Sequence, residues 1–259
     1  MINKLPKPPL TEVVFEMRWS LGVQPPLQFD PGYPQLLDTF TSYAKRKRFT
    51  EIKDFQPTYS PSHFGISRRY HKPGTNFPLL QIGPGIFAAN DGPDYEWSTF
   101  KPMALEGAST VVADYQPVKE FPFRLTHLEL RYLDTFDESV IGTADLVTFI
   151  NEATTAQLSV TPLQELDPRK PIQGRLILQR DVNTPAHAVF IVDVASAKRD
   201  ETPIVRLETK VLTQGEQVLA VKSGKAFEAR LSQWLEEAHV LTSATFKNLV
   251  SEQVYDKFK

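Results

Sequence analysis

Two short segments of the chain repeat one spacing of charged residues, and that spacing could bind an anion. The first segment carries Glu16 and Arg18, and the second carries Glu129 and Arg131, with His127 two positions earlier. An arginine guanidinium binds a carboxylate or a phosphate through two parallel hydrogen bonds. Histidine and glutamate are residue types that transfer protons near neutral pH. The segments therefore predict a polar site that binds a ligand or partner, or an enzyme that uses His127 and Glu129.

The same residues also suit a purely structural role. Residues two apart on a strand share a face and lie about 7 Å apart along the chain. Glu16 with Arg18, and Glu129 with Arg131, could therefore pair as an exposed ladder of salt bridges, each contributing roughly 0 to 1 kcal/mol. The sequence alone favours this ladder, and the binding role stays open beside it.

A cluster of basic residues offers a second candidate surface, one for nucleic acid. It consists of Lys45, Arg46, Lys47 and Arg48, joined by Arg68 and Arg69 on a nearby predicted strand. Aromatic residues that could stack on bases lie among them, namely Tyr43, Phe49, Tyr59 and Tyr70. Single-strand binding proteins combine cations and rings in this way. The formal net charge of −2 favours a simpler interpretation, a solvated helix end beside an ordinary strand.

Other kinds of chemistry lack a signature in the sequence. The five histidines show no spacing typical of a metal site, and the chain contains no cysteine. Neither a phosphate-binding loop nor a G-x-S-x-G nucleophile turn occurs. The glycines at Gly83 and Gly85 indicate a tight turn instead. We therefore predict no metal site, no cofactor and no catalytic residue with a recognisable motif.

The composition is that of an ordinary folded protein. Of the 259 residues, 41% are hydrophobic and 23% are charged, so the chain can bury a large core. The near-neutral charge gives no global attraction to nucleic acid or to an anionic membrane. Because we find no long apolar run and no apolar segment near the start, we expect no membrane span, no signal peptide and a cytoplasmic location.

Hydrophobic periodicity predicts the elements of the N-terminal half. Alternation of apolar and polar residues predicts strands over 10–19, 62–71 and 79–89. Three- and four-residue spacing predicts two helices, one opening at Asp30 and Pro31 and ending in the basic cluster, and one over 97–115. Proline removes a helical hydrogen bond, so we expect Pro102 to lie in the first turn of the second helix.

The C-terminal half repeats this order. We predict a strand over 123–133, a helix over 143–157 with Thr143 as its N-cap, and strands over 172–182, 186–194 and 204–212. Residues 198–201 are expected to form a connection. A long final helix carries apolar residues at alternating spacings of three and four, namely Phe227, Leu231, Trp234, Ala238, Leu241 and Thr245.

The repeated order predicts an internal duplication. A shift of 113 positions places Glu16 on Glu129 and aligns the first strand, helix and following strand of each half. The alignment fails later, where the second half is expected to insert an extra strand. We therefore predict an α+β fold of two strand-helix-strand-strand-helix halves, residues 1–118 and 119–259, packed as one unit with antiparallel sheet and helices on one side.

Four stretches of the chain together resemble a known family. They read LPKPPLTEVVFEMRW, LLQIGPGIFAAND, LELRYLD and WLEEAHVLTSATFKNLVSEQVYDKF, and they extend from near the first residues to the last helix. In these stretches the chain resembles a sporadically distributed family of uncharacterised bacterial proteins of similar length. The resemblance implies no activity and no catalytic residues. Patchy distribution implies an accessory component of a mobile or defence-related gene set.

Strong packing patterns without a catalytic signature predict a non-catalytic binding protein. Its partner would be another protein or a second copy of the same chain, bound through the polar face of Glu16, Arg18, His127, Glu129 and Arg131 or through the last helix. Nucleic-acid binding through the basic cluster is the first alternative. An enzyme based on His127 and Glu129 is the second.

Overall fold

We describe a computed structural model of the chain. The described residues are 9–20, 32–55, 65–115, 123–142, 145–159, 172–215, 218 and 224–258. Within them the chain forms one antiparallel sheet of nine strands together with six helices. The predicted α+β class with an antiparallel sheet is confirmed.

The sheet contains every described strand in a single continuous layer. The strands are β1 (Leu10–Ser20), β2 (Glu51–Asp54), β3 (Arg68–His71), β4 (Leu79–Gly83), β5 (Ile86–Asp91), β6 (Arg124–Asp137), β7 (Arg175–Val182), β8 (Ala188–Arg199) and β9 (Thr202–Gln214). Their spatial order is β2-β3-β4-β5-β1-β6-β9-β8-β7. The first strand of each half therefore lies beside the last strand of that half, and the two first strands meet at the centre.

The helices differ widely in length. They are α1 (Tyr33–Arg46), α2 (Trp97–Asp114), α3 (Glu138–Ile141), α4 (Leu146–Thr148), α5 (Lys225–Leu249) and α6 (Glu252–Asp256). A π-helical turn, Phe149–Ala153, continues α4. The apolar side chains of this region, Leu146, Phe149, Ile150 and Ala153, are all buried. The predicted helix over 143–157 is thus only a short helix and one π-helical turn.

The two central strands show why one face of the sheet became the core. On β1 the side chains of Phe15 and Met17 are fully buried, whereas Glu16 and Arg18 between them are only half-buried. Successive side chains of a strand point to opposite faces. The apolar residues therefore form the core side, and the charged residues line the other side of the sheet.

The described helices that contact the core do so on this apolar face. Trp234 of α5 packs against Phe15, with ring centroids 6.4 Å apart, and Phe40 of α1 packs against Phe87 at 5.6 Å. Gly107 allows α2 to pack closely against Phe87. A Cβ atom at position 107 would lie only 2.4 Å from Cζ of that ring. Phe149 contacts Phe136 of β6 at 5.1 Å. We call this side the helix-covered face and the opposite side the open face.

Several predicted boundaries in the N-terminal half are wrong. The predicted strand over 79–89 is a hairpin of β4 and β5, because Pro84 and Gly85 form a two-residue turn in which Gly85 has φ +72°. The predicted strand over 62–71 is β3 alone within the described residues, and β2 was not predicted. The start of α1 is at Tyr33 rather than 31, and Asp30 and Pro31 lie outside the described residues.

Pro102 does not lie in the first turn of α2. The helix begins at Trp97, so Pro102 lies in its second turn, and the helix nevertheless continues to Asp114. The expectation for Pro102 is therefore wrong. Proline at this position removes the hydrogen bond that its N–H would donate to the carbonyl oxygen four residues earlier. Burial of the α2 face that contains Phe100, Ala104 and Ala108 holds the helix together around this gap.

In the C-terminal half β6, β8 and β9 are longer than predicted, whereas β7 is shorter and begins at Arg175 instead of 172. The predicted connection over 198–201 is confirmed only at Asp200 and Glu201, which form a two-residue turn with positive φ between the end of β8 and the start of β9. The last helix is confirmed, with Phe227, Leu231, Trp234 and Ala238 buried; Thr242 rather than Thr245 completes the buried seam. Thr143 lies outside the described residues, and Asp145 caps α4.

The extra strand lies in the opposite half from the one predicted. Among the described strands, five belong to residues 1–118 and four to residues 119–259. The surplus strand is β2, at one edge of the sheet. An extra strand is predicted in the second half because the prediction treats β4 and β5 as one strand.

Candidate binding surface on the open face

The five residues predicted as a polar site meet at the centre of the open face. Glu16 and Glu129 are directly opposite each other in the β1–β6 register, and His127 is opposite Arg18. Arg131 completes the group one step further along β6. We call these five residues the charged centre. Two segments more than a hundred residues apart therefore form one cluster, because β1 and β6 pair antiparallel.

Each arginine of the charged centre pairs with the glutamate on its own strand. The Nε of Arg18 donates a hydrogen bond to Oε1 of Glu16 at 2.5 Å. Nη1 of Arg131 lies 3.5 Å from Oε1 of Glu129. The first pair is a close hydrogen-bonded ion pair, whereas the second is a looser one. The Arg131 side chain is also the most exposed of the five, at 34%.

His127 bridges the two strands. Its Nε2 lies 3.7 Å from Oε1 of Glu16 and also 3.7 Å from Oε2 of Glu129. On its other side, Nδ1 lies 3.3 Å from Nε2 of Gln214 on β9. The imidazole therefore lies between two carboxylates, where a positive charge on it would be stabilised by both.

Glu129 has the most unusual electrostatic environment of the five. Burial raises the pKa of its carboxyl group above the usual value, and the nearby Arg131 and Lys210 oppose that rise. The charges of Glu16 and Glu208 add to it. Because a buried carboxylate is costly unless cations compensate it, ionised Glu129 depends on these two neighbours.

Strand β9 extends the charged centre with residues that the sequence did not single out. Lys210 is opposite Arg131 in the β6–β9 register, and Glu208 is two residues away on the same face. Their side chains pair at 3.3 Å. The alternation of polar residues along β9 could have indicated this face, but only the strand order shows that β9 lies next to β6.

Toward the N-terminal edge, a chain of polar side chains continues across the open face. Arg69 donates to Gln81 at 2.7 Å, Gln81 donates to Asn90 at 2.7 Å, and Asn90 donates to Glu12 at 2.6 Å. These four residues lie on β3, β4, β5 and β1 in turn. They connect β3, the strand next to the edge strand β2, to the central strand β1 through side-chain hydrogen bonds.

Toward the C-terminal edge, Arg175 and Asp193 form the main ion pair. Nε and Nη2 of Arg175 both donate to the Asp193 carboxylate, with the shortest distance 2.5 Å. Asp193 is almost fully buried, and Nη2 of Arg206 lies 3.9 Å from it. The open face therefore carries paired charges from one end to the other.

The basic cluster proposed for nucleic acid is dispersed. Lys45, Arg46, Lys47 and Arg48 are exposed around the end of α1, but Lys47 pairs with Glu106 of α2 at 2.5 Å across a groove of about 770 Å³. Arg68 and Arg69 are neighbours on a strand, so they point to opposite faces. Arg68 pairs with Asp54 at 2.5 Å and Arg69 donates to Gln81.

The aromatic residues of that hypothesis are unsuited to stacking on bases. Tyr43, Phe49 and Tyr70 are all buried in the core, and Tyr59 lies outside the described residues. Tyr70 packs against Phe40 with ring centroids 5.6 Å apart. A ring that is enclosed on both sides has no face left for a base. The sequence could not distinguish core rings from surface rings, because both follow the same spacing.

A polar chain also crosses the helix-covered face. The hydroxyl groups of Tyr95 and Tyr132 lie 2.8 Å apart, and Tyr132 lies 2.7 Å from Nδ1 of His239. The His239 ring stacks on Trp97, with centroids 4.0 Å apart. Burial lowers the pKa of His239 to about 4, so this imidazole is neutral at pH 7. His239 therefore links the buried seam of α5 to β6.

Within the described residues, no group of three or more His, Asp or Glu side chains is arranged so that it could hold a metal ion. No described helix is long and apolar enough to span a membrane. No model of a known protein family matches the chain, and a search of curated proteins finds no match either.

Proposed function

We propose that this chain is a non-catalytic binding protein that binds another protein through the charged centre on its open face. The observation that carries the proposal is the meeting of Glu16, Arg18, His127, Glu129 and Arg131 on a face that no described helix covers. Such a surface offers both signs of charge within one small area. It suits a partner surface that carries charges of the complementary arrangement.

The arrangement of the charged centre argues against a purely structural ladder. Like charges directly opposite each other on neighbouring strands are destabilising, and Glu16 and Glu129 are such a pair. A ladder selected for stability would place an opposite charge across from each glutamate. Partly exposed ion pairs of this kind contribute little to folding, so their cations can turn toward a partner carboxylate at small cost.

Catalysis by His127 and Glu129 has weaker support. The two side chains lie 3.7 Å apart, so Glu129 does not make the hydrogen bond that would orient His127 as a general base. Nucleic-acid binding has weaker support still, because the rings among the basic residues are buried. A protein partner fits the mixed charge of the open face better than a polyanion does.

The proposal includes an internal duplication of the predicted form. The 113-residue shift places Glu16 on Glu129, and in the β1–β6 register these same two residues face each other. A twofold axis through that pair would relate β1 to β6, β5 to β9, β4 to β8 and β3 to β7. The strand order supports this relation, since it is mirrored about the β1–β6 boundary apart from β2. The charged centre then lies on the axis.

The family and cellular setting are part of the same proposal. The four stretches that resemble a sporadically distributed bacterial family suggest that its members share this sheet. The binding protein would be a cytoplasmic accessory component of a mobile or defence-related bacterial system. The two halves, residues 1–118 and 119–259, would act as one binding unit.

The test compares capture of partners from a bacterial lysate by three forms of the chain. The first is the wild type, the second carries Arg18→Gln and Arg131→Gln, and the third carries Lys225→Gln and Arg230→Gln on the exposed side of α5. Both variants lose two positive charges, so non-specific charge effects are matched. We expect the wild type and the α5 variant to retain the same protein, identified by mass spectrometry, and the Arg18/Arg131 variant to lose it.

Two results would overturn the proposal. Equal retention by all three forms would show that the charged centre is not the binding surface. Recovery of nucleic acid instead of protein, with binding that falls steeply as salt is raised, would favour the basic cluster. Circular dichroism of each variant ensures that any loss is not due to unfolding.

A further inference from the structure

The two edges of the sheet differ sharply. At one edge, β2 is four residues long and reads EIKD, with three charged residues. Short, charged strands protect an edge from pairing with another chain. At the other edge, β7 is eight residues long, and among the described strands it pairs with β8 alone. Its outer side therefore presents backbone groups that another strand could bind.

The β7 edge also carries most of the exposed large apolar side chains. Five such side chains occur among the described residues, and three of them, Ile172, Ile177 and Leu178, lie at this edge. Ile177 is 51% exposed and Leu178 is 54% exposed, and as neighbours they point to opposite faces. An exposed, regular and partly apolar edge strand is a site for strand addition.

The backbone of β7 shows which residues face outward. The N–H of Ser196 on β8 donates to the carbonyl of Gly174 at 2.9 Å, and the β7–β8 register continues without a break from that pair. Backbone groups alternate in direction along an antiparallel strand. The even-numbered residues therefore bind β8, and the outward N–H and C=O groups belong to Arg175, Ile177, Gln179 and Asp181.

We infer that β7 pairs antiparallel with the β7 strand of a second copy of this chain, with Leu178 facing Leu178. Charge complementarity favours this register. On one face it places Arg175 across from Asp181 of the second copy, twice by symmetry, and Ile177 across from Gln179. Arg175 keeps its bonds to Asp193 through Nε and Nη2 and meets Asp181 of the second copy through Nη1. On the other face the two leucines cover each other's exposed surface. The contact is self-complementary, as a twofold dimer requires.

The second copy would complete the hydrogen bonding of the edge. Each strand supplies four outward N–H donors and four carbonyl acceptors, so the pair forms eight backbone hydrogen bonds. A twofold axis perpendicular to the sheet keeps the open faces of both copies on the same side. This inference concerns a different surface from the charged centre and does not depend on the proposed function.

Sedimentation of the full chain tests the dimer. The first variant, Leu178→Lys, places two ammonium groups opposite each other, and the second, Gln179→Pro, removes an outward N–H while leaving the β7–β8 bonds intact. The control is Val240→Lys, a site 55% exposed on α5. We expect the wild type and the control to sediment as dimers and both β7 variants to dimerise at least about tenfold more weakly.

Cross-linking tests the register directly, because the chain has no cysteine of its own. In the inferred register the Leu178 pair is not hydrogen-bonded to itself, and such pairs bring the Cα atoms to about 4.5 Å, within reach of a disulfide. Leu178→Cys should form a covalent dimer on mild oxidation, whereas Val240→Cys should not. A monomeric wild type, a dimer that both β7 variants keep, or equal cross-linking by the two cysteine variants would overturn the inference.

Discussion

The two faces of the sheet are formed by the same strands, yet one carries the buried apolar core and the other carries charged side chains. On the helix-covered face, β1 and β6 present Phe15, Met17, Leu128 and Leu130, all fully buried. On the open face, the residues between them form the charged centre. Because successive side chains of a strand point to opposite faces, the residue types on one face do not constrain those on the other. One face can therefore supply stability while the other is free to supply binding.

Two carboxylates on β6 show how much the surroundings matter. Asp134 lies on the helix-covered face, where burial raises its pKa to about 8. Glu129 lies on the open face, where burial also raises its pKa but Arg131 and Lys210 oppose the rise. The same chemical group is thus mainly neutral at pH 7 on one face and is held near cations on the other.

The largest predicted effect removes a ring from the helix-covered face. Phe15→Ala empties a fully buried site that contacts Phe87 and Trp234. We expect the free energy of unfolding to fall by about 3 to 5 kcal/mol. Phe55→Ala is the control, since that ring is 40% exposed beside the open face, and it should cost less than about 1 kcal/mol. Urea unfolding measures both losses of stability. Equal losses would mean that the buried Phe15 contributes no more to stability than the partly exposed Phe55.

A smaller effect follows from the buried carboxyl of Asp134. The unfolded chain ionises this group near its ordinary pKa of 3.8, whereas the folded chain keeps its proton up to about pH 8. Stability is therefore lost as the pH rises and is fully lost above pH 8. We expect wild type to lose about 1 to 2 kcal/mol between pH 7 and pH 9 relative to Asp134→Asn.

Unfolding of both proteins across that range checks this prediction. His239 has a lowered pKa of about 4 and an ordinary value of 6.5, so its own contribution changes mainly below the range. Parallel stability curves for wild type and Asp134→Asn would mean that Asp134 is ionised in the folded chain.

Gly107 should show the tight packing of the helix-covered face. A methyl group there would lie 2.4 Å from Cζ of Phe87, which is fully buried and cannot turn away. Overpacking costs about 1 to 3 kcal/mol, and the better helix propensity of alanine offsets about 1 kcal/mol of that. We expect Gly107→Ala to lose about 1 kcal/mol net in urea unfolding. A gain in stability would place α2 further from the sheet.

The smallest effect belongs to the open face. Arg131→Gln removes a partly exposed cation 3.5 Å from Glu129. We expect a loss below about 1 kcal/mol, because Arg131 is itself partly exposed, its pair with Glu129 is loose and Lys210 remains beside Glu129 in the variant. Differential calorimetry of wild type and variant measures it. A loss of about 3 to 5 kcal/mol would instead mark Arg131 as the essential partner of a buried charge, and would make the charged centre structural.

The sequence alone predicted the two central strands and the charged residues on their open face. Period-two alternation identified β1 and β6, and the shared spacing identified all five residues of the charged centre. The sequence did not indicate Lys210 and Glu208. Their position beside the charged centre depends on the order of the strands in the sheet, which apolar–polar alternation does not reveal. The sequence indicated the tight turn at Gly83 and Gly85, but the prediction of one strand over 79–89 did not use that turn to separate β4 from β5.

Burial is the second thing that spacing could not reveal. Tyr43 and Tyr70 lie close to basic residues in the sequence, which suggested stacking on bases, yet both rings lie in the core. Arg68 and Arg69 seemed to form one patch, although neighbours on a strand face opposite ways. Each error arose from treating closeness in sequence as closeness on one surface.

The central claim is that the charged centre is the surface that binds a partner. Labelling of arginine side chains with a dicarbonyl reagent, read by mass spectrometry on the free chain and on its captured complex, tests this claim most directly. We predict that Arg18 and Arg131 react several-fold more slowly in the complex, while Arg230 on α5 reacts at the same rate in both. Unchanged reaction of Arg18 and Arg131, with protection at Arg230 instead, would contradict the account.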